Sequence, residues 1–356
     1  MKSIRKLGVA FLICLGAAAQ NAGTNSFTQV NLVSDLPGMA VSTDSQLINP
    51  WGLSHYTNAT AQEGQWWASD QVTGVSTLYQ ADGTIAPLVI TIPTASGTET
   101  GSPTGTAGFG KNFVFVTLDG TISQWLSGAT PATANFRHST TQAQTCTSCH
   151  VTKASIKVNH SSSGTAYTGV TAATKSSQSV LYAASAKGVE AYDASFNPVT
   201  LAAGAFTDPN VPAGFTPYGI QAVGSKIYVT FSPPPPATGG YVDAFDTSGN
   251  LLLTLQQGAW FNEPWGIAQA PANFGGFSNA LLVGNTGSGT IAAFNPKTGK
   301  FGGLMKNASG QTIANPGLWA LYFGDGNVES GPTNTLYFNA GLQNFTHGLF
   351  GAITAN

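Results

Sequence analysis

Asn49-Pro50-Trp51-Gly52-Leu53 is echoed twice further along the chain, as Glu263-Pro264-Trp265-Gly266-Ile267 and, more loosely, as Thr216-Pro217-Tyr218-Gly219-Ile220. A Pro-aromatic-Gly-aliphatic signature that returns at long range marks a repeated supersecondary unit. The residues downstream of each copy repeat too. After the first come Trp66–Asp70, the turn Thr73-Gly74, the alternating run Val75–Tyr79 and then Asp82-Gly83. After Glu263–Ile267 come Leu281–Asn285, Ser288-Gly289, Thr290–Phe294 and Thr298-Gly299. After Thr216–Ile220 come Lys226–Thr230, Gly239-Gly240, Tyr241–Phe245 and Ser248-Gly249. Alternation at period two predicts strands half buried between stacked sheets. The glycines fall where hairpins need a positive φ.

Weaker copies open at Pro103-Thr104-Gly105, Tyr167-Thr168-Gly169 and Asn315-Pro316-Gly317-Leu318-Trp319-Ala320. The motif positions Gly52, Gly105, Gly169, Gly219, Gly266 and Ala320 are spaced by roughly 50 residues. The widest gap, from Gly105 to Gly169, holds an interrupting polar stretch. Repeats of this period with four strands each predict an all-β, six-bladed β-propeller. The run 27–36 has no partner nearby in sequence. It is expected to pair beside His347–Ile353 and close the ring. One domain is expected over 27–354, with 126–165 a loop insertion between the second and third blades.

Of 356 residues, 8% are charged and the net charge is −2, against roughly 25% charged in an average soluble chain. No Lys/Arg stripe is present to neutralise phosphates, which argues against nucleic acid as a partner. Lys2, Arg5 and Lys6, the apolar run Leu7–Leu15 and Ala17-Ala18-Ala19 read as a secretory signal over 1–19, with an apolar core too short to span a bilayer. Cys14 falls within it and is preceded by Ile13, a residue too large for a lipid-attachment motif. A secreted or periplasmic monomer without a membrane span is expected.

The segments Leu32–Ser54, Trp66–Thr84, Gly204–Ile220 and Leu281–Gly299 together resemble a family of secreted bacterial proteins. Its members are six-bladed β-propellers related to NHL and TolB-type repeats, and many carry a PEP-CTERM sorting tail. The resemblance covers nearly all of the mature chain and implies the fold, but no activity. This chain reaches Thr354-Ala355-Asn356 without such a tail, so surface anchoring by that route is not implied.

Three features carry candidate chemistry. The motif ring is expected to pack between blades, next to a close backbone approach at the glycine. Asn49, Glu263 and Asn315 precede the motif at one mouth of the channel, where converging oxygens would suit a hard cation such as calcium. Ordered water is the alternative there. Cys146-Thr147-Ser148-Cys149-His150 matches the attachment pattern of c-type haem, with His150 as the iron ligand. The same residues suit a local Cys146–Cys149 disulfide in an oxidising compartment, or a soft-metal site. No Gly-x-Ser-x-Gly elbow, His-Glu-x-x-His or P-loop is present. The function expected first is non-catalytic binding or scaffolding of an extracellular carbohydrate or protein. Electron transfer through haem c, and a channel-metal hydrolase or lyase, are the alternatives.

Overall fold

The computed structural model describes residues 25–56, 64–110, 112–126 and 150–356. Its strands form six sheets arranged as the blades of a β-propeller. The innermost strands are Pro50–Ser54, Pro103–Phe109, Tyr167–Lys175, Thr216–Val223, Pro264–Gln269 and Leu318–Phe323. Each lies beside the next, and the sixth lies beside the first. Among the described residues no helix is long and apolar enough to cross a membrane.

The motif glycines set the tightness of this ring. A Cβ at Gly52 would meet the Thr104 carbonyl oxygen at 2.7 Å; at Gly219 it would meet that of Trp265 at 2.3 Å, and at Gly266 that of Trp319 at 2.2 Å. Each glycine therefore abuts the backbone of the aromatic position, or its equivalent, in the following blade. A side chain would push the blades apart.

Closure matches the expectation. Phe27–Ser34 pairs antiparallel with His347–Ala355, from Phe27 opposite Ala355 to Ser34 opposite Leu349. The sixth blade is therefore built from both ends of the described chain. His347 Nδ1 and Asp35 Oδ2 stand 2.6 Å apart beside this seam, and the Gly348 N–H donates to Asp35 Oδ1 at 2.8 Å.

Two elements differ from the sequence reading. The expected loop over 126–165 contains two strands. His150–Lys153 adds in parallel to Ile85–Thr91 as a fifth strand of blade one, and Ser155–Asn159 is the fourth strand of blade two. The alternation Ile156-x-Val158 supplies the apolar face that this strand needs. Blade three, in contrast, has three strands among the described residues. Its outer position is held by a single bridge between Tyr192 and Pro198 and by the Val199 N–H donating to Ala191 O. Proline brings no N–H to a ladder, so a fourth strand does not propagate there.

The core lies between blades rather than under one sheet. Consecutive residues Trp66 and Trp67 point to opposite faces of blade one, as period two requires. Trp66 meets Tyr337 of blade six at 4.7 Å between ring centroids, and Trp67 stacks on Phe113 of blade two at 3.9 Å. In blade one the first three strands are buried on both faces rather than on one.

Candidate functional site

The aromatic residues of the motif do not pack between blades. They meet on the channel axis. Trp51 stacks on Trp319 at 3.8 Å, and both lie within 6.4 Å of Trp265 and Tyr218. Four blades thus contribute a ring each, while blades two and three place Thr104 and Thr168 at the equivalent position. The smaller residues leave the space that the large rings occupy. The Trp265 indole reaches across to donate to the Thr168 carbonyl at 3.0 Å. The Trp319 indole donates to Asn49 Oδ1 at 2.9 Å. Phe345 lies beside Trp319 at 5.5 Å and is itself exposed. The rings act as a plug at the mouth where the innermost strands begin.

Beneath the plug the channel narrows to a cavity of about 10 Å³, lined by residues from all six inner strands. That is room for about one water. It then widens at the opposite mouth into a pocket of about 240 Å³ between the ends of the inner strands. Gln221, Gln269, Tyr322, Phe323, His55 and Asp325 line it. They belong to blades four, five, six and one. Gln221 Nε2 donates to the Tyr322 hydroxyl at 2.9 Å, and Gln269 Nε2 donates to the Asn279 carbonyl at 2.7 Å. Each amide keeps its oxygen for another partner. Burial raises the Tyr322 hydroxyl above its ordinary value, opposed by the bond from Gln221.

His55 sits at the back of this pocket. Its ring meets Trp66 edge-on at 4.5 Å. Its Nε2 lies 3.3 Å from the Phe323 carbonyl, which makes Nε2 the donor, and its Nδ1 faces Asp325 Oδ2 at 3.8 Å. Burial lowers the imidazole below its usual range, and the Asp325 charge works against that. Burial thus favours the neutral imidazole at the back of the pocket. The arrangement offers hydrogen-bond acceptors, a hydroxyl and aromatic faces around a small concave volume.

Of the residues singled out from sequence, Asn49 turns its amide into the plug, accepting from Trp319 and donating to Gln71 Oε1 at 2.9 Å. Asn315 turns outward instead, and its amide pairs reciprocally with that of Gln29 on the ring-closing strand, both bonds at 2.9 Å. Glu263 lies beside Tyr218, whose hydroxyl is raised by burial and by the Glu263 charge. Asn49 and Asn315 share no hydrogen-bond partner. Cys146 and Cys149 lie outside the described residues. The backbone of His150 opens the fifth strand of blade one, opposite Leu88. The pocket residues Gln221, Tyr322 and Gln269 were missed in the sequence. Gln221 and Tyr322 directly follow the aliphatic residue of a motif strand, and Gln269 stands one place further along its own, so following the motif strands to their ends would have found them.

No family model matches the chain. Two proteins of Acanthamoeba polyphaga mimivirus are similar along most of its length. Uncharacterized protein R648 is 28% identical over 90% of this chain and 78% of its own. Uncharacterized protein L690 is 26% identical over 90% and 84%. Among solved structures, a luciferin-regenerating enzyme superposes with a TM-score of 0.50 at 11% identity, covering 93% of this chain and 96% of that one. At that identity the likeness concerns the fold alone. The relatives are viral, and affiliation with a secreted bacterial family does not follow from them.

Proposed function

We propose that the protein is an exported, non-catalytic binding protein that holds a neutral saccharide in the pocket at the open mouth of the channel. One observation carries this reading: two amides, a hydroxyl, an imidazole and a carboxylate converge there with aromatic rings, on strand ends of four different blades. Saccharide hydroxyls are donors and acceptors at once, and mixed amide and carboxylate walls satisfy both. Ring faces cover the apolar side of a sugar, and rigid strand ends position such groups well. The plug leaves this mouth as the concave end of the channel. Export is supported by the basic, apolar and small-residue segments of 1–19 and by the resemblance to secreted bacterial propellers.

Titration calorimetry with a panel of neutral mono- and oligosaccharides tests the reading. One sugar class binds, and Gln221→Ala weakens it at least tenfold, about 1.4 kcal/mol. Absence of binding across the panel, or binding indifferent to Gln221→Ala, overturns it. The visible spectrum of protein matured in a host that attaches c-type haem addresses the Cys146-x-x-Cys149-His150 motif. A Soret band and the added mass of one porphyrin would replace the binding role with electron transfer.

A further inference from the structure

Four carboxylates are buried among the described residues: Asp44, Asp70, Asp208 and Asp243. Three have donors. Asp44 accepts from the Gln46 N–H at 3.0 Å and the Tyr79 hydroxyl at 2.9 Å. Asp70 Oδ2 accepts from the Thr77 N–H at 3.1 Å and its hydroxyl at 2.8 Å. Asp208 Oδ1 accepts from the backbone and side chain of Asn210, and its Oδ2 from the Thr254 hydroxyl at 3.0 Å. Asp243 is 0% exposed and neither of its oxygens has a hydrogen-bond partner.

The neighbouring blade carries a carboxylate at the same position with its donors in place. Glu190 stands at the middle of the third strand in blade three, as Asp243 does in blade four. There the hydroxyls of Tyr167 and Tyr192 both donate to Glu190 Oε2. In blade four no such donor is present. Thr254 lies directly opposite Asp243 across the strand pair, but gives its proton to Asp208. The three ion pairs among the described residues all use histidine, and none involves Asp208 or Asp243. Two adjoining carboxylates without a base demand a counter-charge, because an unpaired buried charge is among the costliest features a fold can carry.

We infer that Asp243, Asp208 and Thr254 form a binding site for a hard divalent cation, Ca²⁺, on the flank of the fourth blade. The donor set is all oxygen, as Ca²⁺ prefers: two carboxylates and a hydroxyl, with water free to complete the shell. Thr254 is exposed on the outermost strand and gives an entry path. Asp208 belongs to the connection between blades three and four. The bound ion would pin that connection to the edge of blade four. The proton is the competitor: burial pushes the Asp243 carboxyl up to about 7, and the Asp208 charge adds to the rise. A raised carboxyl contributes stability that is lost as pH rises through that value, so the ion is needed most on the alkaline side.

Thermal unfolding of the chelator-treated full chain decides the matter. At about pH 8, millimolar Ca²⁺ raises Tm by several degrees, because a ligand held only by the native state stabilises it. The gain shrinks at about pH 5, where Asp243 keeps its proton. In Asp243→Asn the Ca²⁺ response is lost, and without added ion this variant melts above the wild type at about pH 8. Terbium luminescence on the native wild-type protein, displaced by Ca²⁺, reports the site without relying on any variant. No terbium signal, together with a Tm indifferent to Ca²⁺ at the higher pH, overturns the site and leaves the two carboxylates sharing a proton.

Discussion

Gly266 shows how much one missing methyl group can decide. Its α-carbon sits so close to Trp319 that a Cβ would lie 2.2 Å from the carbonyl oxygen. Backbone cannot swing aside as a flexible side chain can. Gly266→Ala should therefore cost about 1–3 kcal/mol or more, as overpacking does. The exposed turn glycine Gly310 has a positive φ and open space around it, so Gly310→Ala should cost about 1 kcal/mol. Urea unfolding of the two variants checks the order. Equal midpoints would mean that the blades do not rely on the close approach. The glycine role was legible in the sequence because the motif repeats. The destination of the adjoining rings was not, since a ring between blades and a ring on the axis obey the same spacing. Asp243 was equally opaque: a carboxylate in an alternating strand reads as a solvent-facing residue until the strand turns out to be buried on both faces.

Among the elements, Phe27–Ser34 bears the greatest burden for its length. It brings Phe27, Leu32 and Val33 into the core and covers the outer edge of His347–Ala355. Without it that edge presents unpaired backbone groups to any other chain. Deleting residues 27–34 from the mature form should lower the melting temperature, broaden the transition and promote association. Light scattering and calorimetry measure this. A truncated protein with an unchanged, sharp transition would sink the closure role. This strand was readable because it stood alone before the first repeat. Ser155–Asn159 was not read as a strand because the polar stretch before it masked the resumption of the pattern. The missing fourth strand of blade three was signalled by Pro198, a residue whose lack of an N–H becomes informative only once the ladder is known.

For the molecule as a whole, the fold was written in the sequence far more plainly than the site. Six copies of one unit announce a ring, and packing physics supplies the rest. A binding pocket at a channel mouth takes one or two residues from each of several blades, so no local stretch of sequence contains it. Gln221, Tyr322 and His55 look ordinary until the strands carrying them converge.

The seam in the sixth blade brings the two ends of the described chain together. The Asn356 N–H donates to the Ser26 carbonyl at 3.0 Å, and the Asn356 side chain accepts from the Thr28 hydroxyl and donates to the Ser26 hydroxyl, both at 2.6 Å. A ring whose ends meet has no privileged starting point. Joining Asn356 to Ser26 through a short glycine linker, and opening the chain between Ser176 and Ser177, should give a circular permutant that folds. Both serines are exposed in a hairpin turn with φ of 49° and 65°, so the new ends would also release two left-handed residues. The rearranged protein should melt cooperatively within a few degrees of the parent. Its order of blade formation during synthesis would then begin in what is now the middle.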